Sequence, residues 1–128
     1  MISKYFTIFA EGNRDALMTL NAELGLKAST LKELKLNPFD STAQIDRWSW
    51  ATEKIFCKTD FPTDEIEAYL EQNALLLVIL KKHSQFIRDV GVALSWNFRK
   101  GQLNGFSVSK QFARILSDSN MSFEIDII

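Results

Sequence analysis

One cysteine, one histidine, two prolines and five glycines are spread over 128 residues. Each scarcity excludes something. Cys57 alone cannot form an internal disulfide, and one Cys with one His falls short of a four-ligand structural zinc site. A single histidine, His83, removes two-histidine metal sites and most histidine acid–base pairs. The longest apolar run, Ala74–Leu80, is seven residues, against about 20 for a membrane-spanning helix. Neither sign of charge dominates: 15 Lys+Arg face 16 Asp+Glu, a net charge of -1. A dedicated nucleic-acid binder usually carries a basic surplus. The apolar start through Phe9 is soon interrupted by Glu11 and Arg14 and lacks the features of a secretory signal. A cytoplasmic location is the expectation, since a lone thiol suits a reducing compartment.

What is present reads as a globular chain, 46% hydrophobic and 24% charged, with residues 1–128 forming one domain. A chain of this size can bury roughly 65–70% of its unfolded surface without metal or disulfide. Ser3 to Phe9 is rich in aromatic and β-branched residues and predicts a strand. Asn13 is placed to cap a helix carrying Leu17, Leu20 and Leu24, which Gly25 would end in a left-handed conformation. Leu26 to Ser41 reads as irregular or briefly extended. Gln44 to Lys54 predicts a strand with Trp48 and Trp50 on one face and Arg47 and Ser49 on the other. Ile55, Phe56 and Cys57 would prolong it, and Pro62 would stop it.

Asp64 followed by Glu67 has the spacing of a capping box, opening a helix with Ile66, Tyr69 and Leu70 as its apolar stripe. Beyond Asn73 the run from Leu75 to Leu80 is apolar all round, which predicts either burial on several sides or cover by something else, with a kink or break near Asn73. Val90, Val92, Leu94, Trp96 and Phe98 alternate with small or polar residues, a clean strand period. Gly101 to Gly105 predicts a turn, and Ser107 or Ser109 a cap for a helix with Val108, Phe112, Ile115 and Leu116. Met121, Phe123, Ile125 and Ile127 alternate with Ser122, Glu124 and Asp126 in a last strand. Strands with one apolar face need cover on that face only. The expected fold is a two-layer α+β domain, one mainly antiparallel sheet with helices packed on one face.

No catalytic signature is legible. The serines lie outside any Gly-x-Ser-x-Gly elbow, and no phosphate-binding glycine loop occurs. His83 after Lys81 and Lys82 reads as a helix-end residue, and Cys57 beside Ile55 and Phe56 as a small buried hydrophobe. An enzyme built on Cys57 with His83 as its base has no local support. Catalytic residues, metal ligands and cofactors are therefore expected to be none. Attention moves to the surface: Asp60, Asp64, Glu67 and Glu71 form an acidic stripe, and Lys27, Lys32, Lys35, Lys54 and Lys58 are basic. Separated charge of this kind can steer a charged partner or be an ordinary solvated surface. Trp48 and Trp50 could be core anchors or interface hot spots, with the core expected for at least one of them.

Taken together, Phe6-Thr7-Ile8-Phe9, Leu24-Gly25-Leu26, the segment around Trp48, Phe112-Ala113-Arg114-Ile115-Leu116 and Phe123 to Ile128 resemble a family of small bacterial domains of unknown function. That family includes candidate immunity proteins of contact-dependent growth inhibition and related polymorphic toxin systems. The resemblance implies a non-enzymatic immunity protein that neutralises a cognate toxin by tight binding. The resemblance supplies no contact residues; from the charge pattern, a toxin domain such as a basic nuclease would be met through Asp60, Asp64, Glu67, Glu71 and Trp50. Direct nucleic-acid and membrane contacts are not expected. The alternative is a module binding a small molecule or peptide through an aromatic-lined face near Trp48 and Trp50.

Overall fold

In the first strand, β1 (Ser3–Gly12), Lys4, Phe6, Ile8, Ala10 and Gly12 are buried while Tyr5, Thr7, Phe9 and Glu11 are half-buried. Strict period two fixes which face of the sheet meets the core. The computed structural model describes residues 3–25, 30–33, 47–85, 87–97 and 107–127. After β1 follow α1 (Arg14–Leu24), β2 (Thr30–Glu33), β3 (Trp48–Ala51), β4 (Ile55–Phe56), α2 (Pro62–Gln72) and α3 (Ala74–Lys82). Then come β5 (Ile87–Asn97), α4 (Lys110–Asp118) and β6 (Ser122–Ile127). The strand order is β2-β3-β1-β5-β6, with β4 also on β1.

All pairings are antiparallel except β5 with β6, which are parallel and joined through α4. A parallel pair needs a crossover of that kind, because a tight turn cannot reverse the chain twice. This is the expected two-layer α+β architecture. Buried side chains from α1 (Leu17, Leu20), α2 (Ile66, Leu70), α3 (Leu76, Ile79, Leu80) and α4 (Phe112, Leu116) meet Phe6, Ile8, Trp50, Val92 and Leu94 in one core. The sheet's other face carries no helix among the described residues.

Local chemistry explains most boundaries. Asn13 Oδ1 accepts from the Ala16 N–H at 2.8 Å, and Gly25 ends α1 at φ 62°, as its sequence predicts. Ser109 is the cap of α4, its Oγ accepting from Phe112 N–H at 3.0 Å, while Val108 precedes the helix and is exposed. The strand expected over Gln44–Lys54 is shorter, and its extension through Ile55 is interrupted. At the break Thr52 Oγ1 accepts from Ile8 N–H at 3.0 Å, substituting for a ladder carbonyl. The expected turn at Gly101–Gly105, most of Leu26–Ser41, Gln44 to Asp46 and Phe98 lie outside the described residues.

Two expectations along the central helices fail. Helix α2 begins at Pro62, with Phe61 at its N-cap and no side-chain cap. Asp64 therefore sits inside the first turn, where a carboxylate faces the helix dipole favourably, and the Asp64–Glu67 capping box does not form. The chain does break at Asn73, but of the two outcomes expected for α3, burial on several sides is not what is seen: Leu75 and Val78 are 70% and 62% exposed. A nine-residue helix lying on a sheet has an outer side whatever its composition.

Candidate partner-binding surface

The residues of the acidic stripe do come together on α2, but they are not equivalent. Asp64, Glu67 and Glu71 are spaced by three and four residues, so they share one helix face. Asp64 and Glu71 are exposed, and no cation lies within ion-pair reach of either among the described residues. Glu67 is half-buried and accepts from Ser109 Oγ. It braces the start of α4 against α2, so its carboxylate is engaged inside the fold. Asp60 precedes the helix, exposed but 3.7 Å from Lys4 Nζ.

Trp50 needs correction. It is 0% exposed, between Ala10 of β1 and Leu31 of β2 in register, and its Nε1 donates to Asn21 Oδ1 at 3.1 Å. No partner reaches it without unfolding the domain. Trp48 faces the same way, half-buried, with the Arg14 guanidinium 5.6 Å from its ring centre. The face on which an aromatic binding wall was expected thus looks into the helical layer.

The apolar groups that do face outward lie elsewhere. Phe61 stands 66% exposed at the head of α2, and Leu75 and Val78 follow its tail. Phe56 is 60% exposed on the open sheet face, its ring 5.6 Å from that of Tyr5. Lys54 Nζ sits 4.7 Å from the Tyr5 ring centre. Phe61 and Leu75 thus stand at opposite ends of α2 with the exposed Asp64 and Glu71 between them, while Phe56 lies apart on the other face of the sheet.

Sequence reasoning missed Glu65. From the first turn of α2 it accepts from the N–H groups of Lys58 and Thr59 at 2.8 and 3.2 Å, and from Thr59 Oγ1 at 3.1 Å. Nothing in the spacing from Thr59 to Glu65 matches a known cap, so no sequence signal marked it. This clamp fixes the loop that presents Asp60 and Phe61. Lys4 holds the same loop from beneath: it is 7% exposed and donates to the Thr59 carbonyl at 3.2 Å.

Cys57 and His83 are far apart. Cys57 N–H donates to the Lys4 carbonyl at one end of β1, whereas His83 closes α3 just before Ile87 pairs with Gly12 at the other. A strand of this length runs about 30 Å. Burial, with the nearby Glu65 carboxylate, pushes the Cys57 thiol up to about 11, the opposite of an activated nucleophile. His83 is the cap residue of α3, its N–H donating to the Ile79 carbonyl at 3.2 Å. Its Nε2 lies 3.3 Å from Glu23 Oε2, at ion-pair distance but without directed hydrogen-bond geometry.

Among the described residues no group of three or more His, Cys, Asp or Glu is placed to hold a metal ion, and no helix is long and apolar enough to cross a membrane. A cavity of about 300 Å³ lies where β5 and β6 begin, floored by Leu80, Ile87 and Met121 and rimmed by Arg88, Asp89 and Asn120. Comparison of the chain with protein-family models, curated proteins and solved structures finds no match.

Proposed function

We propose that this protein acts by binding, as an immunity protein that occludes a basic toxin domain through the α2 surface. The observation that carries the reading is the pair of exposed carboxylates, Asp64 and Glu71, two turns apart on one face of a helix. Phe61 before them and Leu75 and Val78 after them supply apolar area. Exposed carboxylates accelerate encounter with a basic partner, and desolvated apolar groups slow its departure. Occlusion needs complementary shape and charge and no chemistry of its own. The resemblance to candidate immunity proteins supplies the toxin, and the cytoplasm is where such a partner would be met.

The test is co-expression with the toxic domain encoded beside its gene, reading growth rescue and co-purification. Rescue with a stable complex is expected. The double variant Asp64→Lys, Glu71→Lys should weaken the complex about tenfold or more, chiefly through slower association that salt no longer modulates. Glu67 is left intact because its loss would also loosen α4. A complex indifferent to both reversals, or a neighbouring domain that is harmless, overturns the proposal.

A further inference from the structure

The outermost strand, β6, ends the sheet on one side. Among the described residues nothing pairs with its outer edge. Alternate residues of an edge strand direct N–H and C=O groups away from the sheet, so a six-residue strand offers about three such residues to an incoming chain. The side chains bordering that edge have a definite pattern. Glu124 and Asp126 are exposed on the open face, while Phe123, Ile125 and Ile127 alternate with them on the helical face. Phe123 is held 5.3 Å from Phe112 of α4, and Ile127 is 55% exposed.

Among the described residues neither carboxylate makes an ion pair. In register, Glu124 lies beside Ala93 and then Thr7; Asp126 lies beside Ser95 and then Tyr5. Farther along the same face Glu11 and Asp89 stand directly opposite one another, a like-charge pairing that disfavours the ladder. This half of the open face carries Glu124, Asp126, Glu11 and Asp89, with Lys54 held over the Tyr5 ring two strands away from Asp126. A second copy of the chain is a poor occupant. Two β6 strands paired edge to edge must match open face to open face, which sets acid against acid or against Ser122. Pairing β6 with the opposite edge, β2, would bring Lys32 to the acids but set Glu33 among the isoleucines.

We propose that the edge of β6 is a second docking element, which captures an extended basic segment of a partner protein as an added strand. Lysines or arginines at every second position of that segment would lie over Glu124 and Asp126, and apolar residues between them would meet Ile125 and Ile127. Backbone hydrogen bonds supply affinity in such augmentation, and alternate side chains supply the choice of partner. The proposal extends the reading of the chain as a binding protein, but it can be tested without any toxin.

The probe is a short synthetic peptide alternating Lys and Val, titrated into the full-length protein with backbone amide NMR and amide exchange as readouts. Shifts and slowed exchange should concentrate in Ser122–Ile127. A peptide alternating Glu and Val, and a Lys–Val peptide interrupted by proline, should each bind about tenfold more weakly or not at all. The variant Glu124→Lys, Asp126→Lys should invert the preference between the Lys and Glu peptides. Shifts centred on α2, shifts unaffected by the charge reversal, or self-association through β6 would each overturn the proposal. The α2 double variant, Asp64→Lys with Glu71→Lys, should bind the Lys–Val peptide as the native chain does, so failure here is separable from failure of the α2 reading.

Discussion

Trp50 Nε1 donates to Asn21 Oδ1 at 3.1 Å, joining β3 to α1 across the core. Trp50→Ala should remove about 3–5 kcal/mol, as for other buried aromatic truncations. Trp50→Phe should cost less, about 1–2 kcal/mol, from the lost hydrogen bond and imperfect filling. Urea denaturation would show a lower midpoint with an unchanged slope. Affinity of the folded Trp50→Phe protein for a partner should equal that of the native chain, whereas an interface tryptophan would weaken it.

Gly91 is required by the closeness of β5 and β6 rather than by its backbone angles. A Cβ there would collide with Ser122 Oγ, stand 2.6 Å from the Ser122 carbonyl oxygen and 2.9 Å from Phe9 Cζ. Gly91→Ala should destabilise by about 1–3 kcal/mol, because β6 must move outward. Adding Ser122→Gly should not restore stability, since the carbonyl remains. Thermal melts of the single and double variants decide this.

The raised thiol of Cys57 makes a kinetic prediction. With the group pushed up from 9.0 to about 11, the thiolate fraction near pH 7 falls about 100-fold. Alkylation by iodoacetamide should be slow in the native protein and become fast in urea. Cys57→Ala should retain partner binding.

Acid should weaken the link between α1 and α3. Lys82 Nζ donates to Glu23 Oε1 at 3.0 Å, and this bond, with His83 second, holds the Glu23 carboxyl below its ordinary value of 4.5. A depressed carboxyl contributes stability that is present above its unfolded value and lost as pH falls through the lower folded one. Glu23→Gln should therefore be slightly less stable than the native chain at neutral pH, and the two should converge as the pH drops below about 4.5. Because Glu23 is solvent-accessible, the difference should be small and should shrink in salt.

Periodicity made the sheet legible: the alternation from Val90 to Trp96 and from Phe123 to Ile127 assigns each side chain to its observed face. The caps at Asn13, Gly25 and Ser109 were legible because those residue types have few other uses at such positions. Burial depth was not. Trp48 and Trp50 share a face, yet Trp50 lies opposite Ala10 with a strand on either side, and Trp48 opposite Gly12 at the strand's end. The α2 start was misplaced by overlooking Pro62 as a first helical residue. Of the acidic stripe, the shared helix face of Asp64, Glu67 and Glu71 could be read from spacing. The engagement of Glu67 by Ser109 could not, because it joins helices distant in sequence.

The central place of β1 has a consequence for the order of assembly during synthesis. The first strand to leave the ribosome pairs with Trp48–Ala51 and Ile55–Phe56 on one side and, from Ser3 opposite Asn97, with β5 on the other. At roughly 5–20 residues per second, several seconds separate the emergence of β1 from that of its longest partner. Through that interval β1 lacks the strand that pairs with it from Ser3 to Gly12. A chain stalled before Ile87 would expose the unpaired side of β1 to chaperones and to other nascent chains, so the emergence of β5, more than any local helix, sets when this domain can close.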